Sequence, residues 1–124
     1  MSSARRFRVL VVDDEPGMRE TLVDILEAVG YDVSTAVDGD GALDVVHAHD
    51  VDVMVMDVQM PKRDGVSVLE QLGPPPPAVI MMTAYALEDR LHAAVDANAF
   101  AILHKPFPVR RLLALVASAS ATAA

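Results

Sequence analysis

Short apolar runs alternate along the chain with longer segments in which apolar residues recur every three or four positions. Apolar runs of about five residues that stop at loop-forming residues are typical of buried strands in an α/β sheet. The longer segments are typical of amphipathic helices. The pattern predicts five strands, at residues 7–12, 31–36, 53–56, 78–82 and 100–103. It predicts five helices, at residues 16–29, 40–47, 65–72, 87–97 and 108–118.

The regular alternation of strands and helices predicts the fold class. Crossover connections between successive strands give a parallel sheet with right-handed connections and helices on both faces. The second strand is polar, so we expect it at an edge of the sheet. We therefore predict an α/β fold, a flavodoxin-like doubly wound (βα)5 unit whose five-stranded parallel sheet has the order 2-1-3-4-5. The length of 124 residues predicts one domain over residues 1–124, with a small-residue tail at 119–124 that frays.

Two local features carry more specific expectations. Helical spacing in the first helix predicts a core-facing side formed by Met18, Leu22, Ile25, Leu26 and Val29. Gly30 follows as the expected C-terminal stop of that helix. Four consecutive prolines at 74–77 cannot continue a helix, and we expect them to adopt an extended polyproline conformation.

Composition and charge exclude several classes of function. The chain has no cysteine, which excludes disulfides, zinc–thiolate sites and thiol nucleophiles. Its net charge is −8 and its only cluster of basic residues is Arg5, Arg6 and Arg8, so we expect no direct nucleic-acid binding. No apolar run approaches the roughly 20 residues that a membrane helix needs, and the N-terminus does not resemble a signal peptide. We expect a cytoplasmic protein with no membrane contact.

The residues that close the predicted strands are the most informative part of the sequence. Asp13 and Asp14 close the first strand, Asp57 the third, Thr83 the fourth and Lys105 the fifth. Open α/β sheets bind ligands just outside the carboxyl ends of their strands. With the predicted strand order, three carboxylates converge in one shallow pocket, with a hydroxyl and an ammonium group on its far side.

Clustered carboxylates indicate a cation. Two unit charges 4 Å apart repel by about 4 kcal/mol at an effective dielectric of 20. A hard divalent ion relieves that repulsion, and magnesium fits best because it takes oxygen ligands from one or two carboxylates and a phosphate; manganese is the alternative. Asp57 is then placed to attack a phosphorus centre while Lys105 and the Thr83 hydroxyl hold phosphoryl oxygens.

Four motifs occur in a characteristic order and spacing: VLVVDDEP at 9–16, MDVQMPKRDG at 56–65, MTAY at 82–85 and KPF at 105–107. With them the chain resembles the receiver domain of two-component response regulators over essentially its whole length. The resemblance implies that Asp57 is the phosphoacceptor. It implies that Asp14 and Asp57 ligate magnesium directly, joined by the backbone carbonyl of Gln59, and that Asp13 helps through a water molecule.

The resemblance also implies roles for the remaining site residues and for partners. Thr83 contacts the phosphoryl group, Lys105 pairs with one of its oxygens, and the Lys105–Pro106 bond is cis. A histidine kinase or histidine phosphotransfer protein supplies the phosphoryl group, and an output protein or a missing effector domain reads the result. The chain catalyses only its own phosphorylation and dephosphorylation, so we do not expect an enzyme. Phosphorylation alters the surface formed by the fourth helix, the fifth strand and the fifth helix. Whether the chain forms a homodimer through the fourth and fifth helices is left undecided by the sequence.

One position departs from the family pattern, and three other functions remain to be weighed. The family has an aromatic residue three positions before the lysine, where this chain has Ile102; the nearest aromatic is Phe100. A pseudo-receiver that only docks to a partner is therefore one alternative. An aspartyl-nucleophile phosphohydrolase would need a second acid two residues after Asp57, where Gln59 stands. A flavodoxin-type cofactor module would need a Gly/Ser/Thr-rich loop in place of DDEPG.

Overall fold

Five parallel strands form one sheet in the computed structural model, which describes residues 6–60, 63–84 and 99–122. The strands are β1 Arg8–Val12, β2 Asp32–Ala36, β3 Val53–Asp57, β4 Ala78–Thr83 and β5 Ala101–His104. They pair in the order β2-β1-β3-β4-β5, and every pairing is parallel. The predicted strand order and the edge position of the second strand are therefore confirmed.

The described helices are α1 Pro16–Ala28, α2 Gly39–Ala48, α3 Gly65–Glu70 and a C-terminal helix Val109–Thr122. Local chemistry explains several of their ends. Asp38 and Asp64 precede α2 and α3, and their carboxylates accept hydrogen bonds from the amides of Gly41 and Ser67. Gly30 follows α1 with φ of +100°, a conformation that favours glycine, as expected for a stop. The helix predicted at 87–97 lies outside the described residues.

Alternation along the central strands divides the core into two layers, one on each face of the sheet. Leu10, Met54 and Met81 point into a cluster completed by residues of α2 and α3. Their neighbours Val9 and Val55 point into a second cluster, completed by residues of α1 and the C-terminal helix. Both faces are thus covered by helices, which is why the central strands are apolar throughout. Within the described ranges, no helix is long and apolar enough to cross a lipid bilayer.

One residue assigned to the core side of α1 is exposed. Leu22 and Leu26 are buried as predicted, but Val29 is 54% exposed. The helix ends at Ala28, and Val29 is its C-cap, with φ of −98° and ψ of 6°. Helical periodicity no longer sets the side-chain direction beyond the last helical residue, so the prediction for Val29 is wrong.

The small-residue tail is helical where we predicted fraying. The C-terminal helix continues past Ser118 to Thr122, and Ala119 is fully buried in the same cluster as Leu112 and Val116. These three residues keep helical spacing, and alanine has the highest helix propensity, so the helix is extended at little cost. The prediction is therefore wrong for 119–122, while residues 123–124 lie outside the described part of the chain.

The proline segment lies between α3 and β4, and its Pro74–Pro75 peptide is cis. Pro74, Pro75 and Pro76 are exposed, and Pro77 is buried directly before β4. The Lys105–Pro106 bond is cis, as the resemblance implied.

Burial of Ala119 can be tested with two equivalent substitutions in the same helix. We expect Ala119→Asp to lower the free energy of unfolding by at least about 2 kcal/mol more than Ala121→Asp, because only the first places an unpaired carboxylate in the core. Ala121 is exposed two residues away, so both variants share the helix-propensity and dipole costs of an aspartate. Urea denaturation measures the difference, and equal losses in the two variants would contradict the buried position.

Candidate functional site

The carboxyl ends of four strands bring the predicted site residues to one edge of the sheet. Asp57 and Thr83 are the last residues of β3 and β4, and Asp13 directly follows β1. Hydrogen bonds beyond the paired strands keep these ends aligned. The amide of Val58 donates to the Met82 carbonyl at 2.9 Å, and the amide of Lys105 donates to the Thr83 carbonyl at 2.7 Å. Lys105 is thereby fixed at the level of the acids.

Three carboxylates form a close cluster at this edge. Asp13, Asp14 and Asp57 each offer a carboxylate oxygen, and these oxygens lie within 4.8 Å of one another. Exposure increases across the cluster, since Asp13 is 1% exposed, Asp57 is half-buried and Asp14 is exposed. The cluster is therefore a shallow site that opens to solvent on the side of Asp14.

The ammonium group of Lys105 lies against the buried side of the cluster. Its Nζ is 2.8 Å from Oδ2 of Asp57 and 3.5 Å from Oδ2 of Asp13. Three carboxylates and one ammonium leave the group with a net charge of −2 when all are ionised. One divalent cation would balance that charge.

Burial and charge shift two pKa values at the site. Burial raises the pKa of Asp13, and the negative charge of Asp57 adds to the rise, while the Glu15 amide and Lys105 oppose it. Burial by itself would lower the pKa of Lys105, but its hydrogen bond to Asp57 and the charges of both acids outweigh burial, so this pKa is raised. Lys105 therefore remains protonated at neutral pH.

The loop after β3 holds the other oxygen of Asp57. The amide of Gln59 donates to Oδ1 at 2.9 Å, which places the main chain of Gln59 beside the carboxylate. The amide of Gly65, at the start of α3, donates to the Val58 carbonyl at 2.8 Å. A Cβ at position 65 would lie 2.8 Å from the Asp57 carbonyl oxygen, so only glycine allows this close approach. α3 consequently packs directly on the main chain of Asp57.

Thr83, Ala84 and Ile102 lie next to this edge. Thr83 is 3% exposed, and Ala84 beside it is exposed. Ile102 pairs with Met81 across β4 and β5 and packs against the cluster that contains Met81. Phe100 directly precedes β5 and is 38% exposed. Tyr85 lies outside the described residues.

The structure brings Asp13, Asp14, Asp57 and Lys105 together as predicted, with Thr83 at the end of the adjoining strand. It also adds Arg19, whose Nη1 donates to the main-chain carbonyl of Asp13 at 2.8 Å. The sequence contained one indication of this contact. Arg19 lies one turn into the helix that follows the two acids, and helical side chains tilt toward the N-terminus.

A doubly wound sheet with an acidic cluster and a lysine at its carboxyl edge defines a class of phosphate-handling α/β domains, and comparison identifies the family. The sequence model of the family described as the response regulator receiver domain matches residues 9–117 of this chain. The chain therefore belongs to the response regulator receiver domain family. It shares that family's general role as a phosphoacceptor in two-component signalling.

Solved structures and curated relatives agree with this assignment. A CheY-like receiver domain protein from Methanospirillum hungatei JF-1 superimposes with a TM-score of 0.91, at 26% identity over 96% of this chain and 97% of that one. The chemotaxis protein CheY4 of Vibrio cholerae gives a TM-score of 0.85, at 28% identity over 93% and 99% of the two chains.

Two mycobacterial proteins are similar in sequence. The transcriptional regulatory protein PdtaR of Mycobacterium tuberculosis is 36% identical over 108 residues, covering 86% of this chain and 53% of the relative. The response regulator MprA of Mycolicibacterium vanbaalenii is 40% identical over 110 residues, covering 86% and 47%. The chain thus spans about half the length of these relatives.

The close approach at Gly65 predicts a sensitive position. We expect Gly65→Ala to lower the free energy of unfolding by about 1–3 kcal/mol, because the new methyl group meets main-chain atoms of Asp57 and Val58 that cannot rotate away. Gly73→Ala is the matched control, since a Cβ there meets nothing within 4 Å. Urea denaturation compares the two, and a Gly65→Ala variant as stable as the control would rule out the contact.

The raised pKa of Asp13 predicts a stability change with pH. Because the folded state holds this proton more tightly than the unfolded state does, the contribution of Asp13 to stability falls as pH rises from the ordinary value of 3.8 through the raised pKa. We therefore expect Asp13→Asn to be more stable than wild type in metal-free buffer at neutral pH. The gain should shrink as the pH falls toward the ordinary value of 3.8, because the raised pKa lets the folded wild type take up the proton before the unfolded chain does.

Thermal melts in the presence of a chelator measure this effect. Asp44→Asn, which changes an exposed carboxylate of α2, is the control for removing one negative charge. A loss of stability in Asp13→Asn at neutral pH, relative to that control, would mean that the ion pair with Lys105 outweighs the burial of the carboxylate.

Proposed function

We propose that this chain is a phosphoacceptor switch in which Asp57 receives a phosphoryl group in a magnesium-dependent reaction. The donor is a histidine kinase or a histidine phosphotransfer protein. One observation carries the proposal: Asp57 shares a cluster of three carboxylates, within 4.8 Å, with the ammonium group of Lys105 at 2.8 Å. That combination supplies a cation site and a phosphate-binding cation around one nucleophilic acid.

The donor set fits magnesium, or manganese in its place. Oxygen donors converge, their net charge is −2, and the exposed side near Asp14 leaves room for the water molecules that magnesium retains. Asp14 and Asp57 would ligate the ion directly, with the main-chain carbonyl of Gln59, while Asp13 would act through a water molecule. When bound, the ion supplies charge that offsets repulsion between Asp57 and the incoming phosphoryl oxygens.

The side chains of the site position the phosphoryl group during transfer. A carboxylate oxygen of Asp57 forms a bond to phosphorus as the phosphorus–nitrogen bond of the donor phosphohistidine breaks. Lys105, already 2.8 Å from Asp57, follows the developing charge onto a phosphoryl oxygen. The hydroxyl of Thr83, at the end of the adjoining strand, contacts another oxygen. The chain catalyses only its own phosphorylation and dephosphorylation and is not an enzyme acting on other substrates.

Output depends on a change at one surface of the domain. Receiver domains of response regulators act with histidine kinases and output domains. Phosphorylation would shift the population between two pre-existing arrangements of the surface formed by the fourth predicted helix, β5 and the C-terminal helix. Ile102, not an aromatic side chain, would follow the movement of Thr83. A separate output protein, an effector domain or a second copy of the chain would read the change.

Phosphorylation of Asp57 can be tested by mass spectrometry of the intact protein. With acetyl phosphate and magnesium, we expect one phosphoryl adduct on the wild type and on Asp44→Asn, and none on Asp57→Asn. A chelator should abolish the adduct. Asp44→Asn removes an exposed carboxylate outside the site, so it separates loss of the acceptor from loss of one negative charge.

Three outcomes would contradict the proposal. An adduct on Asp57→Asn would place the acceptor at another residue. Failure of the wild type with acetyl phosphate and with phosphorylated kinases would favour a pseudo-receiver that only docks to a partner. Multiple turnovers of small phosphomonoesters would favour an aspartyl-nucleophile phosphohydrolase.

A further inference from the structure

Arg19 holds the main chain of the acidic cluster from the first turns of α1. Its Nη1 donates a hydrogen bond of 2.8 Å to the main-chain carbonyl oxygen of Asp13. That carbonyl lies beyond the last paired residue of β1, since the pairings with β2 and β3 both end at Val12. The sheet therefore leaves this oxygen to be satisfied from elsewhere.

The geometry of α1 explains how Arg19 reaches back. Side chains of a helix tilt toward its N-terminus, so a residue one turn inside the helix can contact the segment that precedes it. The amide of Arg19 is itself fixed by a hydrogen bond of 3.0 Å to the Glu15 carbonyl. The main chain of Arg19 is therefore fixed in the helix, and its guanidinium group makes a charge-assisted hydrogen bond.

Asp13 is held by four different contacts. The amide of Glu15 donates to Oδ1 at 2.9 Å, and Lys105 contacts Oδ2 at 3.5 Å. The amide of Asp13 donates to the Ala36 carbonyl at 3.2 Å. Arg19 binds the main-chain carbonyl of Asp13, and the peptide group of that carbonyl joins Asp13 to Asp14. Among residues 6–60, 63–84 and 99–122, no hydrogen bond or ion pair holds the Asp14 carboxylate. The direction of the Asp14 side chain therefore depends on its main chain.

We infer that Arg19 is a positioning residue that fixes the Asp13–Asp14 peptide group and so sets the two carboxylates in place for a divalent cation. The inference rests on the proposed function of the site. Arg19 does not touch the cation or the phosphoryl group; it acts through the main chain of the acids.

Loss of the charge of Arg19 and loss of its positioning role would change the affinity for magnesium in opposite directions. The direction of the change therefore tests the inference. Arg19 carries a positive charge close to the acids, and removal of that charge alone would strengthen the binding of magnesium. Loss of positioning would weaken it, because residues that orient metal ligands typically contribute about 10- to 100-fold to affinity or activity. A residue that supports only the fold would change the melting temperature and leave the affinity unchanged.

The experiment compares magnesium dissociation constants by isothermal titration calorimetry. We expect Arg19→Met to bind magnesium about tenfold more weakly than wild type. Arg19→Lys, which keeps a cationic donor of similar reach, should recover part of the loss. Arg111→Met removes the same charge from an exposed position in the first turn of the C-terminal helix and should bind as wild type does.

The outcomes separate this inference from the proposed function. If wild type binds magnesium and Asp57 is phosphorylated, but Arg19→Met binds magnesium equally well or more tightly, the inference alone is overturned. If wild type neither binds magnesium nor accepts a phosphoryl group, the proposed function fails first. Should melting curves show that Arg19→Met does not fold, Arg19→Gln decides, because its amide is too short to reach the carbonyl: weaker binding supports the inference and unchanged binding overturns it.

Discussion

The repulsion among Asp13, Asp14 and Asp57 has to be offset in the folded chain, because their carboxylate oxygens lie within 4.8 Å of one another. Lys105 offsets part of it through contacts to Asp57 and Asp13. The remainder is a standing negative charge at a solvent-facing edge. In the proposed function, this excess attracts a divalent ion, and the bound ion would offset the further negative charge of a phosphoryl group.

The hydrophobic core holds these charges together. Central strands buried on both faces bring their carboxyl ends to one edge, and two apolar layers fix the strands in register. Burial of apolar surface contributes roughly 25 cal/mol per Å², so a core of this kind can offset the cost of placing Asp13 at 1% exposure. Within the described part of the chain, no buried side-chain nitrogen or oxygen lacks a hydrogen-bond partner. The acids are therefore crowded but not unsatisfied.

Contacts through the main chain connect the core to the chemistry. α3 packs on the carbonyl of Asp57 because Gly65 has no side chain, and Arg19 binds the carbonyl of Asp13 from α1. Neither residue offers a group to the cation cluster. Both connect helices on opposite faces of the sheet to acids at its edge, so a movement of either helix can reach the site.

The sequence by itself determined the class of fold and the acids of the site. Alternating apolar runs and amphipathic segments specify five parallel strands, and the residues that follow each run specify which groups meet at the carboxyl edge. Periodicity is a local property, so it sufficed for elements such as β1 and β3. The same local rule failed for Val29, where the helix had ended, and for Ala119, whose small side chain gives no hydrophobic signal although it is buried.

Only the tertiary structure decided the distances and the supporting contacts. The 2.8 Å separation of Lys105 from Asp57 joins residues far apart in sequence. The pKa of Asp13 is raised by burial, and the pKa of Lys105 is raised by its contacts with Asp57 and Asp13, which no local pattern encodes. The contact of Arg19 with a main-chain carbonyl and the need for glycine at position 65 depend on how helices dock on the sheet. Residue types are written along the chain, but electrostatics and packing depend on separations in space, which exist only after the strands have paired.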